Sequence, residues 1–125
     1  MFRAQPILIV EDEPLIGLAL ADVVADMGGD TIGPFATVSE ALEALDCVAI
    51  AGAILDAKLA DGDVTPVALR LADAAVPMVV HSGTGVPTEL AQRWPGIVAL
   101  AKPAPASAVV ELLHVTMTQA SAARD

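Results

Sequence analysis

Short, fully apolar runs alternate with longer segments of helical periodicity from one end of this chain to the other. That alternation predicts successive βα units around a parallel sheet. The first run, residues 7–10, is aliphatic throughout and stops at Glu11-Asp12-Glu13, as a strand buried on both faces stops at its carboxyl end. Pro14 suits a first helical turn, where its missing N–H would have no partner, and Ile16, Leu20, Val23, Val24 and Met27 follow at helical spacing until Gly28-Gly29. A weaker strand is predicted over residues 30–33. Thr37-Val38-Ser39-Glu40 then reads as a capping box, in which Thr37 and Glu40 satisfy each other's free backbone N–H groups and open a helix that runs to about Leu45.

Residues 50–55 predict a third strand ending on Asp56, followed by a polar turn through Asp61-Gly62-Asp63 and a helix over 66–74. The fourth strand is expected over 78–81, the turn after it at Ser82-Gly83-Thr84-Gly85 and the next helix over 87–94. The fifth strand spans 97–101 and is closed by Lys102-Pro103. A last helix over about 106–117 carries Val109, Val110, Leu112 and Leu113, and residues 121–125 are expected to fray. No linker, repeat or low-complexity tract interrupts these units, and 125 residues fit a single domain. The expected fold class is therefore α/β, a five-stranded parallel sheet flanked by five helices.

Composition narrows the partners. Sixteen Asp and Glu against six Lys and Arg give a net charge of −10, which repels phosphate backbones and anionic lipid, so direct binding of nucleic acid is not expected. No apolar run approaches the roughly 20 residues that span a bilayer, and the first ten residues lack a signal-peptide pattern, so no membrane partner and a cytoplasmic location are expected. Cys47 is the sole cysteine, which excludes an internal disulfide, and is expected to be a small buried or half-buried hydrophobe.

The chemistry lies at the strand ends, because in open parallel α/β sheets loops beyond the carboxyl edge position functional groups on a rigid base. Glu11 and Asp12 end the first strand, Asp56 the third, Ser82 the fourth and Lys102 the fifth. Carboxylates brought together repel, so they either raise a pKa or bind a cation, and oxygen donors beside one lysine favour Mg²⁺. Such an ion could bridge Asp56 and an incoming phosphoryl oxygen while Lys102 and the Ser82 hydroxyl stabilise charge on the other oxygens, leaving Asp56 as nucleophile. Asp61 and Asp63 read as turn and helix-capping residues and not as metal ligands, and His81 and His114 as surface or core histidines. Trp94 is either a partner-facing anchor or a cover for the core edge.

Four pieces in this order, ILIVEDEP, AILDAKLADGD, PMVVHSG and LAKP, resemble the receiver domain of two-component response regulators (CheY-like, flavodoxin-like), over nearly the whole chain. The resemblance implies the strand order 2-1-3-4-5, with a receiver domain over 1–119 and a short tail over 120–125. It implies Asp56 as phosphoacceptor, and Glu11, Asp12, Asp56 and the Lys58 backbone carbonyl as Mg²⁺ ligands. Ser82 is implied as the hydroxyl that moves toward the phosphoryl group, Gly83 as the small residue that keeps access open and Lys102 as the phosphoryl-stabilising lysine, with a cis bond before Pro103. GPFATVSEAL is similar, more narrowly, to stand-alone alphaproteobacterial receivers. Expected partners are a histidine kinase or histidine phosphotransfer protein, an unnamed downstream protein and, as one arrangement, a second copy in a homodimer.

Two departures stand out from that family pattern. Ala99 occupies the place, three residues before the lysine, where family members carry Tyr or Phe as a readout, and Lys58 stands where a polar or acidic side chain is more common. They motivate a second reading, a binding-only pseudo-receiver whose partner choice phosphorylation does not control. A phosphatase of the haloacid dehalogenase type would need an Asp at position 58, where this chain has Lys58.

Overall fold

Continuously aliphatic segments have no polar face to offer water, so they pair with one another and take helices on both sides. A computed structural model describes residues 2–124. In chain order the elements are β1 (Pro6–Val10), α1 (Pro14–Asp26), β2 (Asp30–Phe35), α2 (Val38–Cys47), β3 (Gly52–Leu55), β4 (Lys58–Leu59), β5 (Gly62–Asp63), α3 (Thr65–Asp73), β6 (Met78–Ser82), α4 (Thr88–Arg93), β7 (Val98–Ala101) and α5 (Ala106–Arg124). Five strands form one parallel sheet in the order β2-β1-β3-β6-β7, which is 2-1-3-4-5 once the small β4-β5 ribbon is left out. Val10 lies opposite both Phe35 and Leu55, Leu55 opposite Val80, and Ser82 opposite Ala101, so β2, β1 and β3 end level while β6 and β7 run two residues further at the same carboxyl edge.

Alternation along the strands divides the core in two. Leu8, Val10, Ala53, Leu55, Met78 and Val80 pack with residues of α2, α3 and α4, among them Ala41, Val67, Leu71 and Leu90. Ile7, Ile9, Ile54 and Val79 pack on the other face with Leu20, Val24, Val109, Val110 and Leu113 of α1 and α5. Phe2 closes that face from below, its ring edge-on to His114 with centroids 5.5 Å apart. Trp94 is half-buried against the first cluster, so it covers the core edge.

Several boundaries differ from the sequence reading. β2 does not stop at Gly33 but continues to Phe35 across a bulge, in which the two residues Gly33 and Pro34 stand opposite the single Ile9. The turn after Asp56 is not irregular but folds into the antiparallel β4-β5 ribbon. α5 passes the expected helix end near Met117, because TQASAAR holds neither Gly nor Pro and its alanines favour helix. Cys47 is exposed, contrary to expectation, since it is the last residue of α2 and points away from the stripe formed by Ala41, Leu42 and Leu45. The bonds before Pro34 and Pro103 are cis; the second was expected and the first was not.

Candidate functional site

Glu11, Asp56 and Lys102 each sit one position past a strand and are still tied by their backbones to the neighbouring strand or strand end. Glu11 N donates to Phe35 O at 2.8 Å, Asp56 N to Val10 O at 2.8 Å, and Lys102 N to Ser82 O at 3.0 Å. The sheet register therefore sets where these side chains start. Gly17 lets α1 approach: a Cβ there would lie 3.0 Å from Cβ of Pro34 and 3.9 Å from Cβ of Glu11. A glycine inside a helical pattern is the sequence signal for such close packing.

From those anchors Glu11, Asp12 and Asp56 converge, each offering a carboxylate oxygen within 4.8 Å of the others. Glu11 and Asp56 are buried, at 4% and 7% exposure, while Asp12 faces solvent. Lys102 Nζ lies 3.0 Å from Oε1 of Glu11 and 3.1 Å from Oδ2 of Asp56, the only ion pairs inside the fold among the described residues. Burial pushes the Glu11 carboxyl up to about 7, helped by the Asp56 carboxyl beside it and opposed by Lys102 and by the backbone N–H of Glu13. For Lys102, burial works to lower the ammonium, but the hydrogen bonds and charges of Glu11 and Asp56 outweigh it and hold it above its ordinary value. One ammonium thus partly neutralises a group of three carboxylates, and the donor set, all hard oxygen with one solvent-facing member, fits a small divalent cation such as Mg²⁺.

The remaining expected residues surround this cluster. Ser82 is buried at the end of β6, where its Oγ accepts from Thr84 N at 3.0 Å and lies 3.2 Å from Thr84 Oγ1. Gly83 has room for a side chain, since the nearest atom to a Cβ there would be Lys102 Cβ at 3.9 Å. Lys58 begins the ribbon two residues past Asp56 with its side chain exposed. Ala99 is exposed on β7. His81 is a core histidine, buried with neither ring nitrogen bonded, and burial and the Lys102 charge hold it below its ordinary value.

Sequence reasoning placed Asp61 and Asp63 as caps without finding their targets. Asp63 Oδ1 accepts from Thr65 N at 2.8 Å and caps α3, whereas Asp61 reaches across to α2, accepting from Val38 N at 2.8 Å and Ser39 N at 3.1 Å. Nothing local in the sequence announces that second contact. The Phe35 carbonyl that holds Glu11 was missed as well, because the strand was expected to end before it.

No protein-family model matches the chain, and no curated protein does. Solved structures do. The chain is similar to SdrG of Sphingomonas melonis Fr1, at 33% identity and a TM-score of 0.77, over 94% of this chain and 99% of that one. It is also similar to the REC domain of the response regulator PhyR from Erythrobacter litoralis, at 27% identity and a TM-score of 0.70, over 94% and 89% of the two chains. A CheY-like response regulator receiver domain from Methanospirillum hungatei JF-1, 18% identical, shares the fold with a TM-score of 0.81 over 94% and 96% of the two chains. Fold, strand order and these likenesses define a signalling domain and not a classical turnover enzyme. The chain belongs to the response-regulator receiver family, with CheY-like architecture.

Proposed function

We propose that this receiver is a phosphoacceptor switch in a two-component phosphorelay, taking a phosphoryl group on Asp56 from a phosphohistidine of a kinase or phosphotransfer protein. The observation that carries this reading is the bridge from Lys102 Nζ to both Glu11 and Asp56 within a cluster of three carboxylates at the carboxyl edge of the sheet. Glu11, Asp12, Asp56 and the backbone carbonyl of Lys58 would hold Mg²⁺, which when bound supplies positive charge to offset the carboxylates and the phosphoryl oxygens. Asp12, exposed, faces the solvent from which the ion arrives.

An Asp56 carboxylate oxygen forms the new bond to phosphorus while the bond from phosphorus to the donor imidazole nitrogen breaks, and its electron pair stays on that nitrogen. Lys102, already 3.1 Å from Asp56, turns its ammonium to the phosphoryl oxygens. The Ser82 hydroxyl leaves Thr84 to meet another of those oxygens, and the space at Gly83 keeps the approach open. The cis bond at Pro103 turns the chain directly after Lys102. Output then passes by protein contacts in the cytoplasm, to a downstream protein or to a second copy. No helix among the described residues is long and apolar enough to cross a membrane.

The binding-only reading has one observation in its favour, the exposed Ala99 on β7 in place of an aromatic readout. Intact-mass measurement after treatment with a small phosphodonor and Mg²⁺ separates the two. Wild type is expected to gain one phosphate-sized increment and Asp56→Asn none. No gain in wild type, or an equal gain in Asp56→Asn, sinks the phosphoacceptor reading.

A further inference from the structure

Asp61 lies in the segment between Asp56 and α3, five residues past the acceptor, and has no part in the chemistry just described. Both of its carboxylate oxygens are nonetheless committed, accepting from Val38 N at 2.8 Å and Ser39 N at 3.1 Å, 23 and 22 residues back in the chain. These are the first N–H groups of α2, which also has its own local cap, because Thr37 Oγ1 accepts from Glu40 N at 3.1 Å. α2 therefore does not depend on Asp61 for a cap. A carboxylate at a helix N-terminus is favoured by the free N–H groups and by the helix dipole, and those bonds, Val38 first, hold the Asp61 carboxyl below its usual range.

The segment carrying Asp61 is otherwise closed on itself. Lys58 faces Asp63 and Leu59 faces Gly62 across the ribbon, Ala57 O accepts from Val64 N at 2.9 Å, and Asp63 caps α3. Gly62, at a φ of +139°, permits the tight return. Leu59 is packed in the core, and the tip beyond it is held to another element through Asp61.

We infer that Asp61 is a positioning residue which, by binding the N-terminus of α2, fixes the loop on which Lys58 presents its backbone to the site. The inference rests on the proposed role of Lys58 as a main-chain ligand for Mg²⁺, and it makes α2 a sensor of the acceptor loop: a shift in one must be matched by the other. The bidentate hold is specific to a carboxylate, because an amide at this position keeps only one acceptor oxygen.

Amide hydrogen exchange on the metal-free protein and calorimetric titration with Mg²⁺ test this together, on Asp61→Ala, Asp61→Asn and the control Thr37→Ala. Asp61→Ala is expected to speed exchange at Val38, at Ser39 and across residues 58–64, and to weaken Mg²⁺ binding about tenfold, as loss of an outer partner of a metal site does. Thr37→Ala should speed exchange in the first turn of α2 alone and leave Mg²⁺ affinity unchanged. Asp61→Asn should fall between wild type and Asp61→Ala. Faster exchange confined to α2 in Asp61→Ala, or Mg²⁺ affinity within about twofold of wild type, overturns the inference. If wild type itself binds no Mg²⁺, the metal reading fails on its own, and exchange across 58–64 in the metal-free protein still decides whether Asp61 tethers the loop.

Discussion

Glu11 is held between two opposing influences, the Lys102 ammonium 3.0 Å away and a buried setting shared with the Asp56 carboxyl. Burial wins, and its carboxyl titrates near 7 where an unfolded chain would titrate near 4.5. The folded protein therefore keeps a proton that the unfolded chain has lost, so this group's contribution to stability is full below about 4.5 and is lost as pH rises through about 7. On the proposed function, Mg²⁺ bound at Glu11 would have to displace that proton. Its affinity is expected to rise by about tenfold between pH 6 and pH 8, with proton release on binding that Glu11→Gln abolishes. Calorimetry in buffers of different ionisation enthalpy measures both, and a flat affinity with no proton release would count against the shifted carboxyl. At this scale the sequence was informative about identity and poor about engagement. Asp56 and Lys102 were legible because each ends an apolar run, whereas the pairing of Ser82 with Thr84 depends on side-chain rotamers that no pattern encodes.

β2 shows how an element can serve the site through its backbone alone. Its bulge at Gly33-Pro34 brings Phe35 opposite Val10, and from there the Phe35 carbonyl holds Glu11 N. Gly33 adopts a φ of +106°, and a Cβ there would sit 2.6 Å from the carbonyl oxygen of Ile9. Both conditions exclude a side chain, because neither the conformation nor the strand backbone can give way cheaply. Gly33→Ala is expected to cost on the order of 1–3 kcal/mol. Urea unfolding would register it as a lower midpoint with an unchanged slope, and an unchanged midpoint would mean the bulge is softer than this geometry requires. The sequence showed Gly-Pro as a strand breaker, which is its commoner meaning, and only pairing with β1 turned it into a bulge.

The molecule as a whole carries a net charge of −10, and outside the site its described ion pairs are the exposed Arg70–Asp46 and Arg93–Glu89, which contribute little. Self-repulsion therefore opposes the folded state and is screened by salt. Raising NaCl from about 20 mM to about 500 mM is expected to raise the melting temperature by a few degrees, measured by calorimetry without Mg²⁺. A melting temperature that falls with salt would show that attractive pairs dominate instead. On the proposed function, Mg²⁺ should add stabilisation beyond its ionic strength, because it would bind the folded site and not the dispersed carboxylates of the unfolded chain.

Periodicity and the residues that end each apolar run were enough to determine the βα order, the two-sided core and the four strand ends where polar and charged groups collect. These are local features, since burial of a strand or a helix face is written in which positions are apolar. The tertiary structure alone decided that Asp61 holds α2, that the Phe35 carbonyl holds Glu11, that α5 continues to Arg124 and that Cys47 is exposed. The first two join residues more than 20 positions apart, so they exist only once strand register and loop length have brought the partners within hydrogen-bond reach. The last two turn on where a helix ends and how its final turn is rotated, which marginal local preferences leave open.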